Sequence, residues 1–381
     1  MAQKVEYSSY GSRLMQSIKG VLAGVVFFVA SFVLLFWNEG RAVRTAKGLE
    51  EGRKACVEAA LERLDPATDG KLVHVSGPAA TEAVLRDPQF GVALNALRLE
   101  RTVKMFQWVE SERTRKEKQL GGGEKTITTY TYAKAWDDTW HDPSEFYEKQ
   151  SPPNPRMPFS SKSWNADRVT LGVYTLPAGM VQTLRADEEL PMSEDPAVAQ
   201  ARPCRVVDGS YFLGGDPGDP QIGDLQVSYR VLKPSTVSLL ARRQGVTFEP
   251  YVTAEGTTIS VIETGTHSAA GLFDQEVRAN TILTWGLRLG GFLAMALGIG
   301  LVLKPVATLG DVVPIIGTVL GAGIGMVAFL AALVLTCVTI GLAWLAYRPL
   351  LGGSLLGIAA AVLVVGILRR RRVQPSAFSA T

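Results

Sequence analysis

The sequence predicts an α+β membrane protein, with one N-terminal and three C-terminal transmembrane helices flanking a mostly β extracytoplasmic domain. Three observations predict this. An uncharged run, Gly20 to Asn38, lies near the start of the chain. The final third is dominated by further long apolar runs. Between them lies a stretch rich in period-two alternation and in Gly/Pro turns, the pattern of half-buried strands.

The first run has 19 residues, close to the ~20 that a helix needs to cross hydrocarbon. It ends in Phe36-Trp37-Asn38-Glu39 rather than in small residues suited to cleavage, so it predicts an uncleaved anchor spanning 20–38, preceded by a cytoplasmic segment, 1–19. Residues Ala42 to Arg63 then predict a helix leaving the membrane.

Three more spans are predicted at 283–303, 325–344 and 350–368. Arg288 lies near the start of the first of these and can snorkel to the interface. Val312 to Tyr347 is uncharged over 36 residues, more than one crossing needs, so Pro314–Gly323 is assigned as an interfacial or tilted lead-in. Four arginines, Arg369 to Arg372, open a basic cytoplasmic tail, 369–381. That tail, with Lys4, Arg13, Lys19 and Lys304, places both termini inside; Arg41, Arg44, Lys47, Arg53 and Lys54 run against the rule, but long translocated domains are weakly governed by charge. Trp37, Trp285, Trp344 and Tyr347 then form an aromatic belt at the outer interface.

The domain, 39–281, carries 29 basic and 34 acidic residues, whereas the rest of the chain carries 10 and 2. An acidic middle without a basic stripe excludes nucleic acid as a partner, and the basic excess beside apolar runs points to membrane lipids. Lys71 to Gly77 predicts a short strand ending at Gly-Pro. From Leu97, one face reads Leu97, Leu99, Val103, Met105 and Val109, interrupted by Arg101 and Gln107. Gly121 to Gly123 turns the chain, and Thr126 to Trp136 returns, giving a long hairpin with a projecting tip and a solvated charged edge, Arg113 to Lys118. Further strands are predicted between Asp224 and Glu263, after proline-rich loops at 151–158 and 214–220.

Candidate chemistry is sparse. Asp137, Asp138 and Asp142 beside His141 group as a metal site does, yet they serve equally as turn residues. Asp216, Asp219 and Asp224 miss the spacing of an EF-hand loop. The three histidines, His74, His141 and His267, form no HExxH pair, and no serine occupies a G-x-S-x-G elbow. Cys56 and Cys204 are the only cysteines outside an apolar run, either unpaired or bridged in an oxidising compartment. No acidic residue follows Val312, which argues against a proton- or cation-coupled carrier. The sequence therefore predicts neither an enzyme nor a cofactor nor a metal.

Two structural sites are predicted instead. Glu39, Arg41, Arg288 and Arg348 each lie at an outer span end; Glu39 pairs with Arg288 or Arg348, or else all four contact headgroups. Gly317, Gly321 and Gly325 recur at four-residue spacing and let helices approach, either within one chain or between copies.

Short motifs along nearly the whole chain resemble the LUMA family (transmembrane protein 43). They are Asn38-Glu39-Gly40-Arg41-Ala42, Gly70-Lys71-Leu72-Val73-His74, Asp87-Pro88 with Gly91-Val92, Gln107-Trp108-Val109-Glu110 and Tyr132 with Trp136. Farther on come Asn154-Pro155, Gly223-Asp224-Leu225, Arg243-Gln244-Gly245, Thr284-Trp285-Gly286-Leu287-Arg288 and Trp344 with Tyr347-Arg348-Pro349. Asp137, Asp138, Asp142 and the 214–220 turn fall outside the pattern. The resemblance implies four spans and a large domain in the lumen of the endoplasmic reticulum or its topological equivalent. It also implies self-association and, in animals, an inner nuclear membrane location with lamins and emerin among the partners; no partner motif maps onto this chain. The Ala/Gly/Arg/Leu-rich composition has a bacterial look, which would make the domain periplasmic and the membrane the bacterial inner membrane.

Together these readings predict a non-enzymatic, multi-pass membrane scaffold, a homo-oligomer that also binds envelope membrane proteins. The alternatives are a lipid- or ligand-binding membrane sensor and an envelope hydrolase using Asp137, Asp138 or Asp142.

Overall fold

The computed structural model describes residues 2–193 and 204–349, without the side chains of Pro314 and Ile316. The predicted span 350–368 and the basic tail, 369–381, lie outside the described residues. Two compact units divide the chain. One comprises Met1–Glu6, Gly48–Glu117 and Lys125–Glu276, and the other Tyr7–Lys47, Lys118–Glu124 and the chain from Val277 onward.

The first unit is mostly β. Its main strands are β1 (Ala2–Ser8), β2 (Leu72–Ala80), β3 (Arg98–Lys118), β4 (Glu124–Asp137), β5 (Leu225–Leu232), β6 (Thr236–Gln244) and β7 (Val261–Thr264). Among the described residues an eight-stranded sheet runs β1-β4-β3-β5, then Ser210–Leu213 and Arg205–Val207, with short strands added on β5 and β3. A seven-stranded sheet has β2 and β6 at its centre, paired antiparallel with Leu239 opposite Val75. Alternation sets the layers. Leu97, Leu99, Val103 and Met105 of β3 and its lead-in share one core with Val227 and Val231 of β5, and with Val73, Val75, Val237 and Leu239 of the second sheet. The residues out of phase with these, Leu72 and Leu240, face the other way into a smaller core with Leu49, Ile259, Leu272 and Phe273.

Several boundaries differ from the expectation. Residues 2–8, expected as part of a separate tail, form the edge strand β1 beside β4, whose edge is open to them. The helix expected to reach Arg63 stops at Ala55; Val57–Glu58 leave it to pair parallel with Val73–His74 of β2. β2 runs on through Gly77-Pro78 to Ala80, because the missing Cβ at Gly77 leaves room for the Leu61 side chain.

The second unit is helical. α1 spans Tyr10–Ala55, and after a short α2 (Ala178–Thr183) in the β unit come α3 (Ala269–Gly310) and α4 (Pro314–Tyr347). α1, α3 and α4 are each long and apolar enough to cross a membrane, one N-terminal and two C-terminal to the β domain. The segment expected as a lead-in, Pro314–Gly323, is part of α4 itself, which Pro314 opens as a first-turn proline. Leu35, Met295 and Ala332 form the centre where the three helices pack, with Phe28, Phe32 and Phe292 around it. α1 and α3 cross closely at Gly24 and Gly298, where a Cβ on Gly24 would lie 2.8 Å from the Gly298 carbonyl oxygen.

Candidate functional site

Where α1 ends its apolar run, Asn38, Glu39 and Arg41 turn inward rather than to solvent. Glu39 and Asn38 are both buried. In hydrocarbon or protein a bare carboxylate is prohibitive, so Glu39 must be met by cations or donors. Arg288 of α3 supplies two, Nε at 2.6 Å from Oε1 and Nη2 at 2.8 Å from Oε2. Trp344 of α4 adds a third, its Nε1–H donating to Oε2 at 2.8 Å. The Arg288 guanidinium also lies over the Trp285 ring at 4.7 Å and within 5.9 Å of the Trp344 centroid. One carboxylate thus ties all three helices, with the Glu39 side chain 3% and that of Arg288 16% exposed.

Arg41 takes different partners. It donates to Asn280 Oδ1 (2.9 Å), Thr284 Oγ1 (2.9 Å) and Asn38 Oδ1 (3.2 Å). Asn38 in turn donates to the Thr284 carbonyl, and Asn280 to the Ala42 carbonyl. Spacing explains the set: Asn38 and Arg41 are three apart on α1, Asn280 and Thr284 four apart on α3, so each pair shares one helix face. Arg348 stands apart from Glu39; its backbone N–H donates to the Trp344 carbonyl at 2.7 Å at the end of α4. Just before it, the Tyr347 ring lies over Gly40, where a Cβ would come within 2.6 Å of Cζ.

Among the described residues the three evenly spaced glycines share no common contact. A Cβ on Gly317 would collide with Asp311, whereas one on Gly325 meets nothing within 4 Å and one on Gly321 only Lys118 Nζ at 4.0 Å. Steps of four residues drift 40° around a helix, so the three point in different directions. Asp311, in the turn between α3 and α4, anchors a second polar cluster. Its carboxylate meets Arg13 at 2.5 Å and Lys118 at 2.6 Å, and Arg13 also donates to the Gly122 carbonyl at 2.6 Å. Burial pushes the Asp311 carboxyl up, but its bonds to the two cations prevail and hold it below the usual range. The hairpin tip, expected to project, is therefore held.

The acidic clusters are turn hardware. Asp137 accepts from Thr139 N–H and pairs with His141 Nε2 at 3.0 Å; these bonds hold its carboxyl below the usual range, the histidine's most. Asp142 accepts from both the N–H and the hydroxyl of Ser144, and Asp216 from Gly218 N–H. Asp224 accepts from Gln221 N–H. Among the described residues no group of three or more His, Cys, Asp or Glu could hold a metal ion. Cys56 and Cys204 are both free thiols, and burial pushes that of Cys56 up to about 11.

Sequence reading missed one network. Arg101 and Gln107, which broke the apolar face of β3, are buried on that same face. Arg101 Nη1 and the Tyr229 hydroxyl both donate to Asp87 Oδ2 at 2.6 Å, and the guanidinium lies between Phe90 and Trp164. Burial, then Asp87, pushes the Tyr229 hydroxyl well above its usual value. The available signal was the pair of interruptions itself: a charge in phase with a core face needs a buried partner.

The family model described as Transmembrane protein 43 matches residues 105–349. The chain is similar to Transmembrane protein 43 of Homo sapiens, 34% identical over 384 residues, covering 96% of this chain and 94% of that one. It is likewise similar to the Mus musculus protein of the same name (34% over 376 residues, 95% and 92% covered) and to the Transmembrane protein 43 homolog of Drosophila melanogaster (29% over 347 residues, 88% and 90% covered). These relatives lend no support to a bacterial origin. No solved structure matches.

Proposed function

Because this chain belongs to the transmembrane protein 43 family and is an integral membrane protein, we propose that it is a non-enzymatic scaffold that organises protein complexes in its membrane. The observation that carries this reading is the tie of three helices at one buried carboxylate, Glu39, by Arg288 and Trp344. A charge spent on fixing helices builds a rigid mount rather than a reaction centre. Most large apolar side chains of α1, α3 and α4 stay exposed and fit membrane lipids, a second copy of the chain and envelope membrane proteins. The compartment follows the cell type: the endoplasmic reticulum or inner nuclear membrane in a eukaryote, the inner membrane with a periplasmic domain in a bacterium.

Crosslinking in the native membrane followed by mass spectrometry tests this. Self-crosslinks together with one recurring membrane protein support scaffolding; only scattered neighbours in proportion to their abundance overturn it. A ligand-sensing reading has one observation in its favour, a cleft of about 740 Å³ on the β unit lined by Lys104, Glu189, Asp208, Gln226 and Arg230. A small molecule retained by the purified protein and lost on Lys104→Ala substitution would favour it.

A further inference from the structure

β7 is an edge strand: among the described residues its ladder partner is β6 alone, with Ile262 opposite Leu239. The Gly265 N–H donates to the Thr236 carbonyl, and this bond sets the phase of the pairing. Val261 and Glu263 therefore turn their backbone groups to β6, and Ile262 turns its N–H and C=O to the open edge. A groove of about 540 Å³ runs along that edge, lined by Ser260 to Thr264 and, around them, by Arg185, Asp187 and Glu276. We propose that the groove takes an extended basic segment of a partner protein, which adds to β7 as a further strand with Lys or Arg at alternate positions. The proposal rests on the scaffold reading and names the chemistry of a partner.

The backbone argues for strand addition. Proteins blunt free sheet edges with proline, lysine, a bulge or a covering element. The four residues of β7, Val261-Ile262-Glu263-Thr264, include no proline and no lysine, and a groove rather than a packed element lies beside them. At the edge strand β1 of the other sheet, by contrast, Lys4 and Glu6 pair with each other at 2.7 Å. Charge argues for the kind of partner. Asp187, Glu263 and Glu276 outnumber Arg185 in the groove, and among the described residues neither Glu263 nor Glu276 forms an ion pair. Glu276 is half-buried, and burial, then the Glu263 charge, pushes its carboxyl up. A basic side chain supplies the cation that these two adjoining carboxylates lack. Alternation sets the spacing. Ile262 faces the larger core, whereas Val261 and Glu263 face the other way, toward α3. Residues opposite one another in neighbouring strands share a face, so every second residue of the added strand meets Glu263 and Glu276. A second copy of β7 is a poor occupant, because it would bring a further Glu263 against the same two carboxylates.

The test uses the full-length protein in nanodiscs of zwitterionic lipid and a fluorescein-labelled peptide of four Lys-Thr repeats, followed by fluorescence anisotropy. Saturable binding is expected. Combining Glu263→Gln with Glu276→Gln should weaken it about fivefold, the joint loss of two weak ion pairs, and Arg185→Ala should tighten it about twofold. Methylating the peptide's backbone nitrogens separates strand addition from plain charge attraction, since only alternate backbone groups face β7. Methylation of all the Thr nitrogens, or of all the Lys nitrogens, should lower affinity more than about tenfold in one series and spare it in the other. Loss in the Thr series means an antiparallel strand, and loss in the Lys series a parallel one. Equal binding by a peptide with its lysines in one block, tolerance of both methylated series, no weakening in the double Gln variant, or no binding at all would each overturn the proposal. Crosslinking in the native membrane keeps the two readings apart. A recurring neighbour whose crosslinks avoid residues 185–187 and 260–276 removes this site and leaves scaffolding standing, whereas peptide binding without any recurring neighbour supports the site and removes scaffolding.

Discussion

Replacing Glu39 with Gln removes one charge and leaves the shape nearly intact. In the structure Glu39 accepts three hydrogen bonds, two from Arg288 and one from Trp344, at 2.6–2.8 Å. A carboxamide offers a single acceptor oxygen, so at least one of these donors loses its partner, and the Arg288 guanidinium loses its counter-ion. Breaking a buried pair costs about 3–5 kcal/mol, and a charged hydrogen bond alone about 1.5–3. Arg288 is 16% exposed and can partly turn outward, which favours the lower end, about 2–4 kcal/mol. The assay is thermal unfolding in nanodiscs with oligomer size followed in parallel, comparing E39Q, Arg288→Met and the double variant. The double variant is expected to recover most of the loss, because the uncompensated charge is gone. A change below about 1 kcal/mol for E39Q, or strict additivity in the double variant, would refute the reasoning and leave these residues as headgroup contacts.

Asp311→Asn should release the hairpin tip at a cost of about 1–3 kcal/mol, read as faster hydrogen exchange at the Gly121 amide, which donates to the Val312 carbonyl. Since the folded carboxyl is held below its unfolded value of ~3.9, the wild-type advantage is complete above that pH and disappears as pH falls through the folded value. Gly24→Ala should destabilise the bundle by about 1–3 kcal/mol, because its Cβ would press on the backbone of α3, while Gly325→Ala, with nothing within 4 Å, should be neutral or slightly stabilising; equal melting temperatures would contradict the crossing. Asp87→Asn in the β unit should cost about 3–5 kcal/mol by leaving Arg101 buried without its anion, measured by urea unfolding.

Long-period features were legible in the sequence. Alternation from Leu97 to Val109 predicted β3, and uncharged runs predicted the three described membrane helices, because both patterns follow from burial alone. Glu39 and Arg288 were legible as charges at apolar ends, a place where a partner is needed; the choice of Arg288 over Arg348 depends on which helices cross, and so did the role of Trp344. The close contacts at Gly24, Gly291 and Gly298 depend on which helices cross, whereas Gly317, Gly321 and Gly325 share no common contact among the described residues. Residues 2–8 and 57–58 are strands only because a neighbouring edge is open to them, information that lies elsewhere in the chain.

The three membrane helices differ in how firmly charge pins their depth. On α1, Lys19 and Glu39 bracket 19 uncharged residues, about 28 Å; on α3, Arg288 and Lys304 bracket 15, about 22 Å. α4 is uncharged over all 34 residues, about 51 Å, which exceeds the hydrocarbon thickness of cellular membranes even at a 40° tilt. The charged pair of helices therefore sets the thickness the protein prefers, at the thin end of the range of cellular membranes, and α4 contributes slack rather than a stop. In a thicker bilayer the strain of mismatch falls on α1 and α3, where Glu39 and Arg288 already hold each other.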